Sequence, residues 1–133
     1  MLYHHTPLPY FLENVDVDCF APAIGTAHGV YKGEPKIAFD RLEEISKLSD
    51  TPLALHGGTG LSEEVFKKSI ALGCSKINLS TQLKYAFING CVDYFNENPN
   101  EYNPLTLLNA QYAALKKAVV ENILLFGSNQ KAD

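Results

Sequence analysis

Along this chain, short unbroken apolar runs alternate with longer stretches in which apolar residues return every three or four positions. Two such runs are Cys19-Phe20-Ala21-Pro22-Ala23-Ile24 and Pro52-Leu53-Ala54-Leu55, and a third strand is read at Lys76-Ile77-Asn78-Leu79, where polar and apolar residues alternate. Their length and flanking turn residues predict buried strands, although Pro22 removes a ladder donor from the first. Asp40 and Glu43 resemble a capping box opening a helix from Arg41 to Leu48. Ser62 is placed to cap a second helix, Glu63 to Leu72, which Gly73 stops. Beyond the third strand, Leu83, Phe87, Cys91 and Phe95 fall on one face of a longer helix that Asn98-Pro99 ends. Asn103-Pro104, a cap followed by a first-turn proline, opens the last helix. Its stripe is Leu105, Leu108, Tyr112, Leu115, Val119, Ile123 and Phe126, and Gly127 closes it. Residues 1–10 hold two prolines and no period and read as irregular, leaving 11–133 as the organised segment.

Strands that alternate with helices imply parallel pairing, because each return to the same sheet edge needs a helical crossover. The fold class is therefore α/β. His28, His56 and Asn78 stand at the carboxyl ends of the three strands, the end of a (β/α)8 TIM barrel where strand ends and loops build a site. A whole barrel takes about 250 residues. The 133 residues here hold three βα units followed by further helices, which reads as a partial barrel.

Composition narrows the partners. Apolar residues make up 46% of the chain, with seven Tyr and seven Phe, and the net charge is −4. A basic face for nucleic acid or an anionic membrane is not expected at that balance. Cys19, Cys74 and Cys91 are widely spaced and odd in number, so small buried thiols are a better reading than a disulfide framework or a cysteine zinc knuckle. No window has the apolar length of a membrane span and no basic, then apolar, leader opens the sequence, so a cytoplasmic protein is expected.

Candidate chemistry concentrates at the strand ends. His28 in Gly25-Thr26-Ala27-His28-Gly29 and His56 in Leu55-His56-Gly57-Gly58 share one context, a strand end followed by glycine. Each alone is most simply a hydrogen-bonding loop residue. Together they can supply two of the three protein ligands of a catalytic zinc. Gly57-Gly58-Thr59-Gly60 leads into a helix, and successive amides near a helix N-terminus point at anions. Asn78-Leu79-Ser80-Thr81 is either a helix-capping cluster, a second set of phosphate contacts, or both. His4-His5 reads as a feature of the irregular terminus, and Lys84, Lys116 and Lys117 as solvated helix residues.

Three segments in order carry a resemblance to class II, zinc-dependent ketose-bisphosphate aldolases of the fructose and tagatose type. They are Val17 to Tyr31 with His28, Pro52 to Leu61 with His56, and Lys76 to Thr81 with Asn78; the closing Phe126-Gly127-Ser128 is also similar. The resemblance covers about residues 11 to 130 and corresponds to the carboxy-terminal part of that family, its last three βα units. It implies that His28 and His56 are zinc ligands, with a monovalent cation as an optional second ion. Gly29, Gly57, Gly58, Thr59, Asn78, Leu79, Ser80 and Thr81 would then contact a triose phosphate. The implied activity is cleavage of a ketose bisphosphate to dihydroxyacetone phosphate and an aldehyde, with zinc polarising the ketone. Family members carry an Asp-His pair on earlier strands, the acid/base and third ligand. No Asp-His occurs in this sequence, so no catalytic residue is expected within it. Asn-Leu-Ser-Thr lacks the acidic residue of the fructose branch and is nearer the tagatose type. Arg41 is the sole arginine, so a carboxy-terminal arginine for a second phosphate is missing. The expected partners are a sugar phosphate and either a second copy of the chain or a complementary barrel half. The alternative is a truncated, non-catalytic relative that retains only phosphate binding, with a piece of an unrelated barrel as a third reading.

Overall fold

Leu53, Ala54 and Leu55 are buried in succession, the pattern of a parallel strand covered on both faces, and they form β1 (Leu53–Leu55). The computed structural model describes residues 8–131. Strand β1 pairs in parallel with β2 (Cys74–Ile77), with Leu53 opposite Cys74 and Leu55 opposite Ile77. One further bond, from the Asn78 amide to the Leu55 carbonyl at 2.9 Å, carries the pairing past the strand end. The crossover is α3 (Glu63–Ala71), whose Ser62 hydroxyl accepts from the Val65 amide as the sequence predicts. At Gly73 the chain adopts φ +107°, which an L side chain resists. That turn delivers Cys74 directly into the sheet, so β2 begins two residues before the expected Lys76 and ends at Ile77.

The first expected strand, Cys19 to Ile24, is not formed as such. Phe20 alone reaches β1, donating to the Pro52 carbonyl and accepting from the Ala54 amide, each at 2.9 Å. Two residues later Pro22 has no N–H to give, and the ladder stops. The described sheet is thus two-stranded, and three complete βα units are not present in it. One helix is unexpected and the start of another differs from expectation. Residues 8–10 are helical, the first turn of α1 (Leu8–Asn14), because Pro9 falls where no intrahelical N–H is required. His4 and His5 lie outside the described residues. The next helix, α2 (Phe39–Leu48), has Ala38 at its cap position and no side-chain cap bond. A hydrogen bond from the Ala38 amide to the Ile24 carbonyl sets its start. Asp40 therefore falls inside the first turn, where it complements the helix dipole. Glu43 turns to Lys47 rather than back to a cap.

The core is small: Ile24, Leu42, Ile45, Leu53, Leu55, Leu61, Phe66 and Cys74. Burial of the Cys74 thiol raises its pKa to about 11, consistent with an inert packing group. Helices α4 (Thr81–Glu97) and α5 (Pro104–Leu125) pack on each other as a hairpin rather than on this core. Asn103 caps α5 through a bond from the Leu105 amide, as expected. Gly90 lets the two axes approach, since a Cβ there would stand 2.6 Å from the Ala114 Cβ. Only the end of α5 reaches the core, through Phe126 against Phe66 with ring centres 5.0 Å apart. The helical stripes are real, but this chain does not bury them. No residue of α4 is buried, and Ile88, Leu105, Leu108 and Tyr112 are each more than half exposed. Among the described residues no helix is long and apolar enough to cross a membrane.

Two outcomes follow. A Gly90→Val chain is expected to lose about 1–3 kcal/mol of stability from overpacking, as read by urea unfolding, and no loss would mean the helices are not in contact there. So much apolar side chain on one hairpin is also expected to drive self-association. Light scattering coupled to size exclusion would show the mass rising with concentration, and Ile88→Glu with Leu124→Glu would lower it. A monodisperse monomer throughout would contradict the expectation.

Candidate functional site

The site begins with a contact between two stretches of backbone. Gly57 follows β1 with φ +69°, and a Cβ on it would lie 2.4 Å from the Ala27 carbonyl oxygen. No side chain fits between the loop carrying His28 and the loop carrying His56. Gly58 is constrained less, since its Cβ would meet the end of the Leu79 side chain, Cδ2 at 2.8 Å, rather than backbone. The Tyr31 hydroxyl, half-buried beside this contact, accepts from the Ala27 amide at 2.9 Å and donates to the Gly57 carbonyl at 2.8 Å. One phenol therefore holds the residue before His28 to the residue after His56.

The two imidazoles stand 5.8 Å apart, centre to centre, with an interplanar angle of 69°. Zinc–nitrogen bonds of about 2 Å at a tetrahedral angle put two ring centres roughly 5 Å apart, so the pair fits two donors of one ion. Among the described residues no group of three His, Cys, Asp or Glu side chains converges. Asn78, brought beside the end of β1 by the parallel ladder, faces His56. Its Nδ2 lies 3.3 Å from Nδ1 and 3.1 Å from Nε2. The amide orientation has a cause: Lys76 Nζ, which can only donate, takes Asn78 Oδ1. Lys76 and Asn78 share a strand face because side chains alternate with a period of two.

His28, Gly29, Gly57, Gly58, Thr59, Asn78, Leu79, Ser80 and Thr81 line one small cleft of about 60 Å³. A small cleft of this kind has room for an anionic group. The amino terminus of α4 opens onto it, with no acidic residue in its first turn, so the helix dipole favours an anion there. Capping of α4 differs from expectation. Ser80 occupies the cap position at φ −136°, ψ −65°, and its hydroxyl makes no cap bond, because the side chain reaches the first-turn amides from an extended backbone. Thr59 does the work from the neighbouring loop, its Oγ1 accepting from the Gln82 amide at 3.2 Å.

All eight expected substrate residues and His28 thus share one cleft, with His56 beside it. Sequence pattern alone marks neither Tyr31 nor Lys76 as a site residue. Lys76 was within reach of strand alternation, two positions from Asn78. Tyr31 offered no local signal, since its two partners are set by tertiary contact.

A family model described as fructose-bisphosphate aldolase class-II matches residues 6–131. A sulfofructosephosphate aldolase from Alkalicoccus urumqiensis is 47% identical over 122 residues, 92% of this chain and 42% of that protein. A fructose-bisphosphate aldolase from Geobacillus stearothermophilus is 40% identical over 121 residues, 91% of this chain and 42% of that protein. Among solved structures, the YdjI aldolase from Escherichia coli K12 superposes with a TM-score of 0.79 at 33% identity, over 94% of this chain and 44% of that one. A putative fructose-1,6-biphosphate aldolase from Coccidioides immitis gives 0.73 at 26% identity, over 86% of this chain and 40% of that one. The chain spans less than half the length of each of these relatives.

Two glycine substitutions separate contact from conformation. Gly57→Ala meets both a positive φ and the Ala27 carbonyl, and is expected to cost about 2–4 kcal/mol. Gly29→Ala meets positive φ but nothing within 4 Å, and is expected to cost about 1 kcal/mol. Urea midpoints compare them, and equal losses would mean that the two loops do not touch.

Proposed function

The chain belongs to the class-II fructose-bisphosphate aldolase family, and from that premise we propose that it carries the zinc-histidine pair and the phosphate cleft of an aldolase acting on a phosphorylated ketose. The observation that carries this reading is the convergence of His28 and eight anion- or substrate-facing residues on one cleft, with His56 5.8 Å from His28. The elements around it are read as an arc of a (β/α)8 barrel, its last units, in which the exposed apolar side chains of the α4–α5 hairpin await the rest of a barrel or another copy. The reaction is cleavage of a ketose bisphosphate or related sugar phosphate to dihydroxyacetone phosphate and an aldehyde.

Each residue then has a task. The amides around Gly57–Thr59 and the start of α4 hold the phosphate. Ser80, whose hydroxyl is not used in capping, adds a donor. Asn78 Nδ2, oriented by Lys76, presents an N–H on the imidazole side of the cleft, where an oxygen of the bound triose would accept it. His28 and His56 would hold zinc, which when bound supplies Lewis-acid polarisation of a carbonyl. The names of the two aldolase relatives share a phosphorylated ketose and differ in whether the sugar also carries a sulfo group or a second phosphate. A cleft of anion size suits the shared phosphate, and nothing in it selects the other end.

A second reading has an observation in its favour: no carboxylate is among the cleft's lining residues. Without a positioned acid/base, proton transfer on the aldehyde oxygen has no partner, and the 133-residue chain alone would bind phosphate without turning over. Calorimetric titration separates the readings. Zinc is expected to bind weakly, as two ligands rather than three would hold it, and to be lost in His28→Ala and His56→Ala. Dihydroxyacetone phosphate is expected to bind and to weaken about tenfold in Ser80→Ala. Tight zinc binding indifferent to both histidines would remove them from the site. A coupled assay with fructose and tagatose bisphosphates plus zinc is expected to show negligible turnover by this chain, and robust chelator-sensitive cleavage would overturn that.

A further inference from the structure

Backbone pairing between the two histidine-bearing segments ends early. The Phe20–Ala54 bond is the last of them, and among the described residues no backbone hydrogen bond ties residues 21–30 to residues 55–60. Pro22 ends the ladder, yet His28 and His56 lie beyond that point, on loops that the sheet no longer holds in register. What joins them is one side chain. Tyr31 Oη accepts from the Ala27 amide and donates to the Gly57 carbonyl, using one donor and one acceptor of a group that has both.

We infer that Tyr31 is a positioning residue, its hydroxyl acting as a clasp that sets the separation of the His28 and His56 imidazoles and, with it, their joint affinity for a metal. The metal half of this inference rests on the proposed zinc pair; the clasp itself does not. The hydroxyl bonds backbone and neither imidazole. It acts one residue away from each imidazole, on the Ala27 amide and the Gly57 carbonyl, where a shift of either loop is passed directly to a ring. Glycine at 57 allows the close approach, and the hydroxyl keeps it from opening. Removing a group that orients metal ligands commonly weakens metal binding by about 10–100-fold.

The test uses the full chain and Tyr31→Phe, which keeps the ring and removes the oxygen. In the metal-free protein, NMR is expected to show faster exchange of the Ala27 amide, by about tenfold, and displaced resonances for both imidazoles, with core methyl signals of Leu42 and Leu55 unchanged. Cobalt(II) titration is expected to show about tenfold weaker binding, whereas Val30→Ala, an exposed neighbour, binds as the parent does. A hydroxyl that only stabilised the fold would lower the urea midpoint and leave the relative position of the two imidazoles intact, and that result overturns the inference. If the parent chain binds no cobalt through its histidines, the zinc-pair reading fails, while Ala27 exchange and the imidazole signals still judge the clasp. Should Tyr31→Phe not fold, the parent decides: an Overhauser contact between the Tyr31 ring protons and the Ala27 amide is required, and its absence overturns the inference.

Discussion

The arrangement of the site depends on the close passage of Gly57 against Ala27. Strands β1 and β2 are short, three and four residues, and a two-stranded parallel pair of that length has little rigidity of its own. What brings an imidazole from each loop into one space is a backbone contact that excludes even a methyl group, with a phenol bridging its two sides. Everything nearer the cleft inherits that geometry. The turn at Gly57–Gly58 lays Thr59 against the start of α4. The last ladder bond, from the Asn78 amide to Leu55, places Asn78 against His56.

Much of the scaffold could be read from local pattern because local physics decides it. Helices α3, α4 and α5 start and stop within a residue or two of their capping and glycine signals. Strand β1 needed only its apolar run. The errors share a cause, which is that a contact distant in sequence overruled a local preference. Asp40 looked like a cap, but the Ala38–Ile24 bond decided where α2 begins. The run from Cys19 to Ile24 is apolar enough for a strand, but pairing needs donors in register and Pro22 supplies none. Thr59 caps α4 from 23 positions away, a relation no window of sequence contains. Most of the cleft was legible because Gly57 to Thr59 and Asn78 to Thr81 follow neighbouring parallel strands, whose topology must gather them; His28, Gly29 and Tyr31 follow no formed strand and are placed by tertiary contact.

The hairpin of α4 and α5 shows the same division between period and burial. Periodicity reports that a face is apolar, not what covers it. In α4 the face that would ordinarily enter a core is left without a buried residue, and the closest packing is helix on helix through Gly90. Two polar groups are instead taken inside the pair. Gln111 donates to the Phe87 carbonyl, and Asn122 donates to the Ala118 carbonyl. Buried amides of this kind cost less when bonded than when orphaned; the Asn122 bond stays within α5, and the Gln111 bond, which crosses to α4, favours one register between the helices over a slide along apolar surface.

Thr59 joins the hairpin to the cleft. A hydroxyl carries one donor and two acceptor positions. In Thr59 one acceptor position is occupied by the Gln82 amide, which fixes the oxygen's place over the first turn of α4 and leaves its proton free. That proton can still turn toward an acceptor in the cleft, so capping does not use the part of the group that would donate. Had Ser80 supplied the cap, its own hydroxyl would have been turned toward the helix and the cleft would have one donor fewer. The cross-loop cap therefore does two things at once: it satisfies a helix terminus that its own cap residue leaves open, and it holds the glycine-rich turn after β1 beside the amino terminus of α4.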